Sequence, residues 1–406
     1  MNQLNMNIWI LNQYAGTPDV TAATRPYNLS RELVRRGHRI TIFASSFSEY
    51  SYKELRLSKN ESWKEEYCEG IRFIWVKTPP YFSNDWHRLL NMVGFAWHAF
   101  WIGRRLKEKP DVIIGTSVHP LAVLSAYLLS LHKKSRFFFE ITDLWPQTLV
   151  DMGNLAERSI ITYTLRALEK FLFYKAEKII TLMPDAYKYI AARGISREKV
   201  IWIPQCIDLS LYDKTIPYTG ELKSTFNVMY LGKHGVANEL PTILKAARIL
   251  KKTKYPIRFL FIGDGAEKPR LISMAKEMSL TNVEFRDAVP KDEVPMVLSE
   301  ADAFIVILKN IPLYQYGISL NKLCDYFAAA RPVILAGKSS NDPVEEANAG
   351  ITVPSLNPQA VADAIIRLFE MTPEQRIELG ENGRLYVERY HDIDKLVDKL
   401  ETVLKC

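Results

Sequence analysis

The sequence predicts an α/β protein with two doubly wound domains, each a mostly parallel sheet covered by helices. Its 406 residues are more than one ordinary hydrophobic core accommodates. Short apolar runs of strand length alternate with helical patterns, which is typical of parallel sheets. The alternation stops at residues 205–221, where Pro217 and Gly220 interrupt a stretch without hydrophobic period, and then begins again. We therefore predict a linker there and a second domain beyond it.

The first half begins with a strand at residues 7–11, a helix over 24–36 and a strand at 39–44. Such a βαβ unit is expected to be right-handed, with its two strands parallel. Further strands are expected at 71–76, 112–115, 136–141, 178–182 and 200–204, and in the second half at 227–231, 257–262, 283–285, 303–308 and 333–335. Helices are expected over 237–252, 267–278, 292–300 and 320–330. A last helix, 393–405, has an apolar stripe that needs a surface to pack on.

The composition, 48% hydrophobic and 24% charged, is that of a globular protein. The four cysteines lie far apart without metal-ligand spacing, which indicates reduced thiols and a cytoplasmic protein. We expect no cleavable signal and no membrane-spanning segment, because no apolar run is long enough. The net charge of +7 fits an anionic substrate or an anionic membrane surface. Nucleic acid is disfavoured, since the sequence has no long basic run and no zinc-finger spacing.

The most informative stretch is residues 315–332, QYGISLNKLCDYFAAARP, a loop that runs into a helical pattern. Ser319 is predicted to cap the helix, and Asn321, Lys322 and Asp325 lie in its first turns. A helix N-terminus with a lysine favours phosphate, and a nearby carboxylate can accept hydrogen bonds from two ribose hydroxyls. The pattern predicts a nucleotide site, although an ordinary solvated helix start contains the same residue types.

Two glycine-containing loops follow strands of the second half. The loop 232–235, GKHG, would let amides after Gly232 approach an anion, with Lys233 supplying positive charge. Its spacing matches neither a Walker loop nor a dinucleotide fingerprint, and a tight turn is the alternative. The loop 263–265, GDG, is half of a dinucleotide fingerprint. It is more typical of a plain turn, but Gly263 could shape the nucleotide side of the site.

Three side chains of the first half are candidates for the same edge of a sheet. Asp143 closes a strand expected to be buried, and could act as a base toward an acceptor hydroxyl or stabilise positive charge. Capping a helix is the alternative function of this aspartate. His119 follows the strand at 112–115, where a packed or capping histidine is the commoner case. Arg25 begins the first helix and could point to the site or to solvent.

One D-x-D motif, Asp392-Ile393-Asp394, is of the kind that holds a divalent metal between phosphates. It opens the last amphipathic helix, where acidic residues suit the helix dipole. We interpret it as structural and predict no metal.

The aromatic-rich segment 86–106, WHRLLNMVGFAWHAFWIGRRL, has arginines near both ends. Its apolar residues extend most of the way around a helix. It is therefore interpreted either as a core helix or as an interfacial helix on an anionic membrane.

Taken in order, these motifs resemble one family. Its first helix and second strand are matched by Arg25, Leu29, Leu33 and Gly37-His38, and TDLWP at 142–146 looks like its R-D-L-W-P segment. YLGKHG at 230–235, FIGDG at 261–265 and NKLCDYFAAARPVI at 321–334 resemble its donor-side motifs in order and spacing. Over nearly its whole length the chain resembles the retaining GT-B glycosyltransferases of group 1, the glycogen-synthase-like class. The nearest similarity is to bacterial O-antigen or capsule transferases of amino sugars, the fucosamine type.

The resemblance implies a GT-B fold of two Rossmann-like domains facing across a cleft. Residues 1–205 would be the acceptor domain, 206–388 the donor domain and 389–406 a helix that packs back on the first domain. It implies transfer of a sugar from a UDP-sugar, with retention and without metal or other cofactor. The acceptor would be a lipid-linked saccharide at the inner face of the membrane.

The resemblance also assigns site residues. Asp325 takes the place of the acid that binds ribose hydroxyls. The other donor-binding positions would be Gly232, Lys233, Gly263, Gly317, Ile318, Ser319, Asn321 and Lys322. Lys322 would also stabilise the charge of the leaving group, with Asp143 and His119 as the remaining catalytic candidates. Gly16 and Arg25 would lie on the acceptor side.

Two departures from the family pattern concern these residues. The wider family has two glutamates separated by seven residues, where this chain has Gly317 and Asp325. Thr142 replaces the arginine that precedes Asp-Leu-Trp-Pro in closer relatives. The motifs therefore do not specify the donor sugar. Two alternatives stay open, a UDP-sugar 2-epimerase of the same fold and a non-catalytic subunit that binds sugar nucleotides.

Overall fold

The computed structural model describes residues 5–19, 24–83, 85–213, 215–221 and 224–405. The chain divides into two units. The N-terminal unit is Met1–Cys206 with Ile393–Cys406, and the C-terminal unit is Ile207–Asp392. Each contains a largely parallel sheet whose strands alternate with helices along the chain. The predicted fold class, two doubly wound Rossmann-like domains, is confirmed.

The N-terminal unit contains an eight-stranded sheet. The strands of this unit, two of which lie outside that sheet, are β1 (Asn7–Leu11), β2 (Arg39–Ser45), β3 (Phe47–Ser48), β4 (Lys53–Glu54), β5 (Trp63–Cys68), β6 (Ile71–Val76), β7 (Val112–Thr116), β8 (Arg136–Ile141), β9 (Lys178–Thr181) and β10 (Val200–Trp202). Its first helices are α1 (Arg25–Arg35), α2 (Trp86–Arg105), α3 (Pro120–Lys133), α4 (Gln147–Asp151), α5 (Ile160–Lys175) and α6 (Ala186–Ala191). The order in the sheet is β10-β9-β8-β7-β1-β2-β6-β5, and β3 pairs with β4 separately.

Strand β5 was not predicted. It pairs antiparallel with β6 at the edge of the sheet, and most of its side chains are exposed. Charged residues at positions 64–66 leave it without an apolar run, so hydrophobic pattern gives no strand signal there. A polar edge strand of this kind protects a sheet from pairing with other chains.

The C-terminal unit contains a six-stranded parallel sheet in the order β13-β12-β11-β14-β15-β16. The strands are β11 (Phe226–Leu231), β12 (Ile257–Ile262), β13 (Val283–Arg286), β14 (Ala303–Ile307), β15 (Val333–Ala336) and β16 (Gly350–Val353). The helices are α7 (Leu240–Leu250), α8 (Lys268–Glu277), α9 (Val294–Leu298), α10 (Asn321–Ala328), α11 (Pro343–Glu346), α12 (Pro358–Glu370) and α13 (Pro373–Tyr390). Because all strands are parallel, the loops after β11, β12, β13 and β14 lie at one edge of this sheet.

The predicted linker is wrong for most of its length. Residues 207–213 and 215–221 belong to the C-terminal unit. Tyr212 is buried, and the Tyr218 hydroxyl donates to the main-chain oxygen of Asp302 at 3.1 Å. The segment has few consecutive apolar residues, so its anchoring depends on single tyrosines that carry no periodic signal.

The last helix, α14 (Ile393–Lys405), packs in the core of the N-terminal unit. Its Leu396 and Leu400 share that core with Leu33 of α1. The unit boundary falls at Ile393 rather than at residue 389, because α13 continues to Tyr390 and the Ile207 amide donates to the main-chain oxygen of His391.

Buried and surface charges hold α14 against α1. The Arg36 guanidinium donates to Asp398 and to Glu401, at 2.5 and 3.0 Å. His38 Nε2 lies 2.7 Å from Glu401.

In the described ranges no helix has both the length and the apolar character to cross a bilayer.

Candidate functional site

Two glycine loops of the C-terminal unit pack directly on one another. Gly263 has φ +142°, and a Cβ there would lie 2.0 Å from the main-chain oxygen of Gly232. Only glycine fits this position, because a side chain would displace one of the two loops. The His234 amide donates to the main-chain oxygen of Asp264 at 2.7 Å. The two loops therefore form one continuous main-chain surface at the carboxyl ends of β11 and β12.

The Lys322 ammonium is fixed beside this surface. Its Nζ donates to Tyr230 Oη and to Asn238 Oδ1, both at 2.7 Å, and lies 4.4 Å from the centre of the Tyr230 ring. A Cβ on Gly232 would lie 3.6 Å from the same Nζ. Burial lowers the pKa of Lys322 to about 7. The side chain of Lys233, on the same loop, is exposed.

The loop before α10 is organised differently from the prediction. The helix begins at Asn321 with Leu320 at the cap position, so Ser319 is not its N-cap. The Gly317 amide donates to Tyr314 O at 3.1 Å. The Ile318 amide donates to Asn341 Oδ1 at 2.7 Å. The Ile318 amide follows Gly317 at a position expected to bind the donor, but it is used within the protein. Asn321 is exposed at the first position of the helix.

Asp325 is buried and has two partners from other segments. Its carboxylate accepts from Tyr212 Oη at 2.7 Å and from Lys291 Nζ at 2.7 and 2.8 Å. Burial and the nearby carboxylate raise the pKa of Tyr212 well above its ordinary value, so this tyrosine is a fixed neutral donor. Lys291 comes from the loop between β13 and α9.

The C-terminal unit thus brings together Gly232, Gly263, Lys322 and, one helical turn further on, Asp325. Sequence reasoning missed the side chains that position them, which are Tyr212, Tyr230, Asn238, Lys291 and Asn341. Tyr230 lies inside an apolar strand and Tyr212 inside the supposed linker. Neither shows a motif, and only their contacts reveal them.

Arg25 has a structural environment in the N-terminal unit. It is buried, its Nε pairs with Glu140 at 3.2 Å, and its terminal nitrogens donate to the main-chain oxygens of Ile203, at 3.0 Å, and Pro204. Glu140 also accepts from Thr116 Oγ1 at 3.0 Å. We therefore correct the acceptor-side assignment. Arg25 ties the start of α1 to the ends of β7, β8 and β10.

His119 is a buried cap of α3, the commoner case for such a histidine, which corrects its assignment as a catalytic candidate. Its Nδ1 accepts from the Ala122 amide at 3.2 Å, so the proton of the neutral ring is on Nε2. Nε2 lies 2.5 Å from Gln13 Oε1, and Gln13 in turn donates to Asn91. Burial, with Arg88 nearby, lowers the pKa of His119 to about 3. Both ring nitrogens are used inside the protein, and the ring stays neutral.

Asp143 is exposed in the turn between β8 and α4. It is not a helix cap, because Pro146 occupies the cap position of α4. Ser117 Oγ donates to the main-chain oxygen of Asp143 at 3.1 Å, which ties this turn to the loop after β7. The surrounding protein, with Glu49 nearby, raises the pKa of the Asp143 carboxyl above its ordinary value. Gly16 is buried and lines a small cavity with residues 45–50 of the same unit.

The D-x-D motif flanks the start of α14. Asp394 lies 3.7 Å from the Arg36 guanidinium, and Asp392 forms a β-bridge with Ile207. Across the described ranges, no cluster of three His, Cys, Asp or Glu side chains has the geometry to hold a metal ion. The motif has a structural environment.

Comparisons with known proteins agree with this architecture. Residues 22–211 match the model of Glycosyltransferase Family 4, and residues 225–371 match that of Glycosyl transferases group 1. WcaI of Escherichia coli K12, named as a colanic acid biosynthesis glycosyl transferase, is 23% identical over 293 residues. These residues cover 68% of this chain and 70% of WcaI.

Two solved structures illustrate the similarity of fold. Sucrose-phosphate synthase from Thermosynechococcus elongatus has a TM-score of 0.77 at 17% identity, covering 99% of this chain and 98% of that one. HepE of Anabaena, solved with UDP and glucose, has a TM-score of 0.71 at 13% identity, covering 99% of this chain and 100% of HepE. The fold of the two units and the two family matches agree with each other. The chain is a glycosyltransferase of the group 1 type with the GT-B fold.

Proposed function

We propose that this glycosyltransferase moves a sugar from a UDP-sugar to a lipid-linked saccharide during synthesis of a cell-surface glycan such as O-antigen or capsule. An N-acetylated amino sugar is the first candidate for the transferred group. The observation that carries the proposal is the placement of Lys322 and Asp325. One helix presents a cation beside the glycine loops and a carboxylate one turn away.

This arrangement suits a nucleoside diphosphate. The Lys322 ammonium would bind the diphosphate, with Lys233 as a further ligand. Asp325 would accept hydrogen bonds from the ribose hydroxyls. HepE, which shares the fold, was solved in complex with UDP and glucose, and this supports uridine as the nucleoside.

The chemistry follows from where charge develops. As the sugar leaves, negative charge grows on the diphosphate, and a fixed ammonium stabilises it without a metal ion. Asp143 is the remaining candidate for the acceptor side, because its carboxylate is exposed and could accept a proton from a hydroxyl. Retention at the anomeric carbon, metal independence and a lipid-linked acceptor are proposed from the resemblance to group 1 enzymes. The name of WcaI supports glycan synthesis.

We further propose that α2 rests on the anionic inner face of the membrane. One side of this helix, including Phe95 and Ala99, is buried in the unit. The opposite side exposes a row of large apolar residues, Trp86, Leu89, Leu90, Val93 and Trp97. Arg104 and Arg105 end the helix and are exposed. An exposed apolar row followed by basic residues is complementary to an anionic bilayer surface. The core-helix interpretation explains only the buried side.

Calorimetry with UDP tests the site. The natural protein is expected to bind, and Asp325→Ala and Lys322→Ala should each weaken binding more than about tenfold, or roughly 1.4 kcal/mol. Lys276→Ala, at an exposed lysine of α8, is the control and should bind normally. Unchanged affinity in both site variants would refute the assignment. Mass spectrometry of turnover against a panel of UDP-sugars, with and without lipid extract, separates transfer from epimerisation. An altered UDP-sugar without acceptor would favour an epimerase.

A further inference from the structure

We propose that the Lys291 side chain occupies the ribose position of the nucleotide site in the free protein, so that a nucleoside must displace it from Asp325 in order to bind. The inference rests on the proposed function, in which Asp325 is the ribose ligand. In this proposal Lys291 is the residue that determines the affinity of the site for the two ribose hydroxyls.

The two partners of Asp325 differ in their freedom to move. Tyr212 is 4% exposed and donates to Oδ1 from the protein side. The Lys291 side chain is 41% exposed, while that of Asp325 is only 10% exposed. The lysine therefore covers the carboxylate from the solvent side, at the end of a flexible four-carbon stem. Of the two, only the lysine can leave without opening the core.

The Asp325 carboxylate has too few acceptor positions to bind the Lys291 ammonium and a ribose diol at the same time. Its two oxygens have about four acceptor positions. Three hydrogen bonds are already present, one from Tyr212 and one to each oxygen from Lys291. A ribose diol needs one acceptor position on each oxygen, from the accessible side. Lys291 holds both of those positions, so the diol and the ammonium exclude each other while Tyr212 remains bound.

Two other arrangements predict different results. If Lys291 stayed in place and donated to the nucleotide, its removal would weaken binding. If the ion pair were an ordinary surface pair away from the ligand, its removal would change nothing. Uridine distinguishes these cases better than UDP, because it carries the diol without the diphosphate charge that would attract any nearby lysine.

The test is the binding of uridine to the variants Lys291→Met and Lys291→Gln, measured by ligand-observed NMR. Both variants are expected to bind uridine about two- to fivefold more tightly, the range that an exposed ion pair supports. The gain should be smaller for 2′-deoxyuridine, which lacks one hydroxyl of the diol. Added salt should tighten uridine binding to the natural protein, because it weakens the ion pair, and should not do so in either variant. Lys276→Met, at a lysine exposed on α8, is the matched control and should behave as the natural protein.

Weaker or unchanged uridine binding in both Lys291 variants, with thermal unfolding unaltered, would overturn the proposal. This failure is distinct from failure of the proposed function. If Asp325→Ala weakens UDP binding while the Lys291 variants bind uridine normally, the donor site stands and only the competition is refuted. If Asp325→Ala binds UDP normally, the donor site itself is refuted.

Discussion

Lys322 Nζ lies 2.7 Å from Tyr230 Oη, above the ring of the same residue. Burial raises the pKa of Tyr230, so its hydroxyl stays neutral and donates onward to the main-chain oxygen of Lys233 at 2.9 Å. Tyrosine and lysine together connect α10 to the glycine loop after β11. The side chain of Lys322 is half-buried. Its protonation state is therefore expected to respond to an anion that binds beside it.

The first prediction concerns proton uptake at Lys322. Burial lowers its pKa to about 7, so at pH 8 the free protein holds it mostly as a neutral amine. A bound diphosphate favours the ammonium, and UDP binding should therefore take up close to one proton. Affinity should fall by up to about tenfold per pH unit above 7. Calorimetry at pH 8 in two buffers of different ionisation enthalpy measures the uptake.

Two variants control this experiment. Lys322→Met should bind UDP weakly and with the same enthalpy in both buffers. Lys233→Met, at the exposed lysine of the neighbouring loop, should retain the buffer dependence. Equal enthalpies for the natural protein in both buffers would show that binding takes up no proton and would contradict the prediction.

The second prediction concerns the contact between the glycine loops. Gly263→Ala would place a methyl group 2.0 Å from Gly232 O, at a backbone φ of +142°. The strain should destabilise the unit by about 1–3 kcal/mol and displace the loop, with loss of UDP affinity. Gly235→Ala is the control, since its nearest neighbour would be 3.7 Å away and its φ is −116°. Thermal unfolding and UDP titration report the two effects, and normal UDP binding by Gly263→Ala would contradict the proposed loop contact.

The third prediction tests the structural assignment of Arg25. Arg25→Met leaves the buried Glu140 without its cation and should cost about 3–5 kcal/mol in the unfolding of the N-terminal unit. UDP affinity should not change, because the proposed donor residues belong to the other unit. Arg35→Met, at an exposed arginine paired within its own helix, should cost less than about 1 kcal/mol. Full stability of Arg25→Met together with slower transfer would restore an acceptor role for Arg25.

The fourth prediction concerns the membrane face of α2. The protein should float with vesicles that contain phosphatidylglycerol and remain behind with neutral phosphatidylcholine at physiological salt. Arg104→Glu with Arg105→Glu should weaken flotation more than about tenfold, since each basic residue near such a surface contributes about 1 kcal/mol. Trp97→Ser should also reduce it.

Leu385→Ser controls for the loss of an exposed apolar side chain, because Leu385 is as exposed as Trp97 but lies in the C-terminal unit. It should float normally. A natural protein that stays in solution even at low salt would exclude the membrane face.

Much of the fold was predictable because its signals are local. The strand at 257–262 and the helix at 393–405 have the predicted bounds, since an apolar run or an apolar stripe determines each of them. Strand β5 and the anchored segment 207–221 were not predictable. Strand β5 is a charged edge strand that pairs with its sequence neighbour β6, and the segment 207–221 is anchored by Tyr212 and Tyr218. Neither feature leaves a hydrophobic period in the chain.

The same distinction applies to the candidate site. The stretch 315–332 identified Lys322 and Asp325, because residue types and helical spacing are local properties. Ser319 as a cap was wrong, because Leu320 occupies the cap position of the helix. The Ile318 amide is not free for a ligand, because Asn341, more than twenty residues away, accepts a hydrogen bond from it. His119 was predicted from its place after a strand, and Arg25 from its place at a helix start. Both are buried in the folded protein, and their hydrogen bonds go to internal partners.

By itself, the sequence determined the two α/β halves, their order, and the lysine and carboxylate of the donor helix. Hydrophobic period and residue spacing encode these features within a few turns of chain. Only the tertiary structure decided that Lys322 is held by Tyr230 and Asn238, and that Asp325 lies between a buried tyrosine and an exposed lysine. Such pairings join residues separated by 34 to 113 positions. They form only when parallel strands bring their loops to one edge of the sheet.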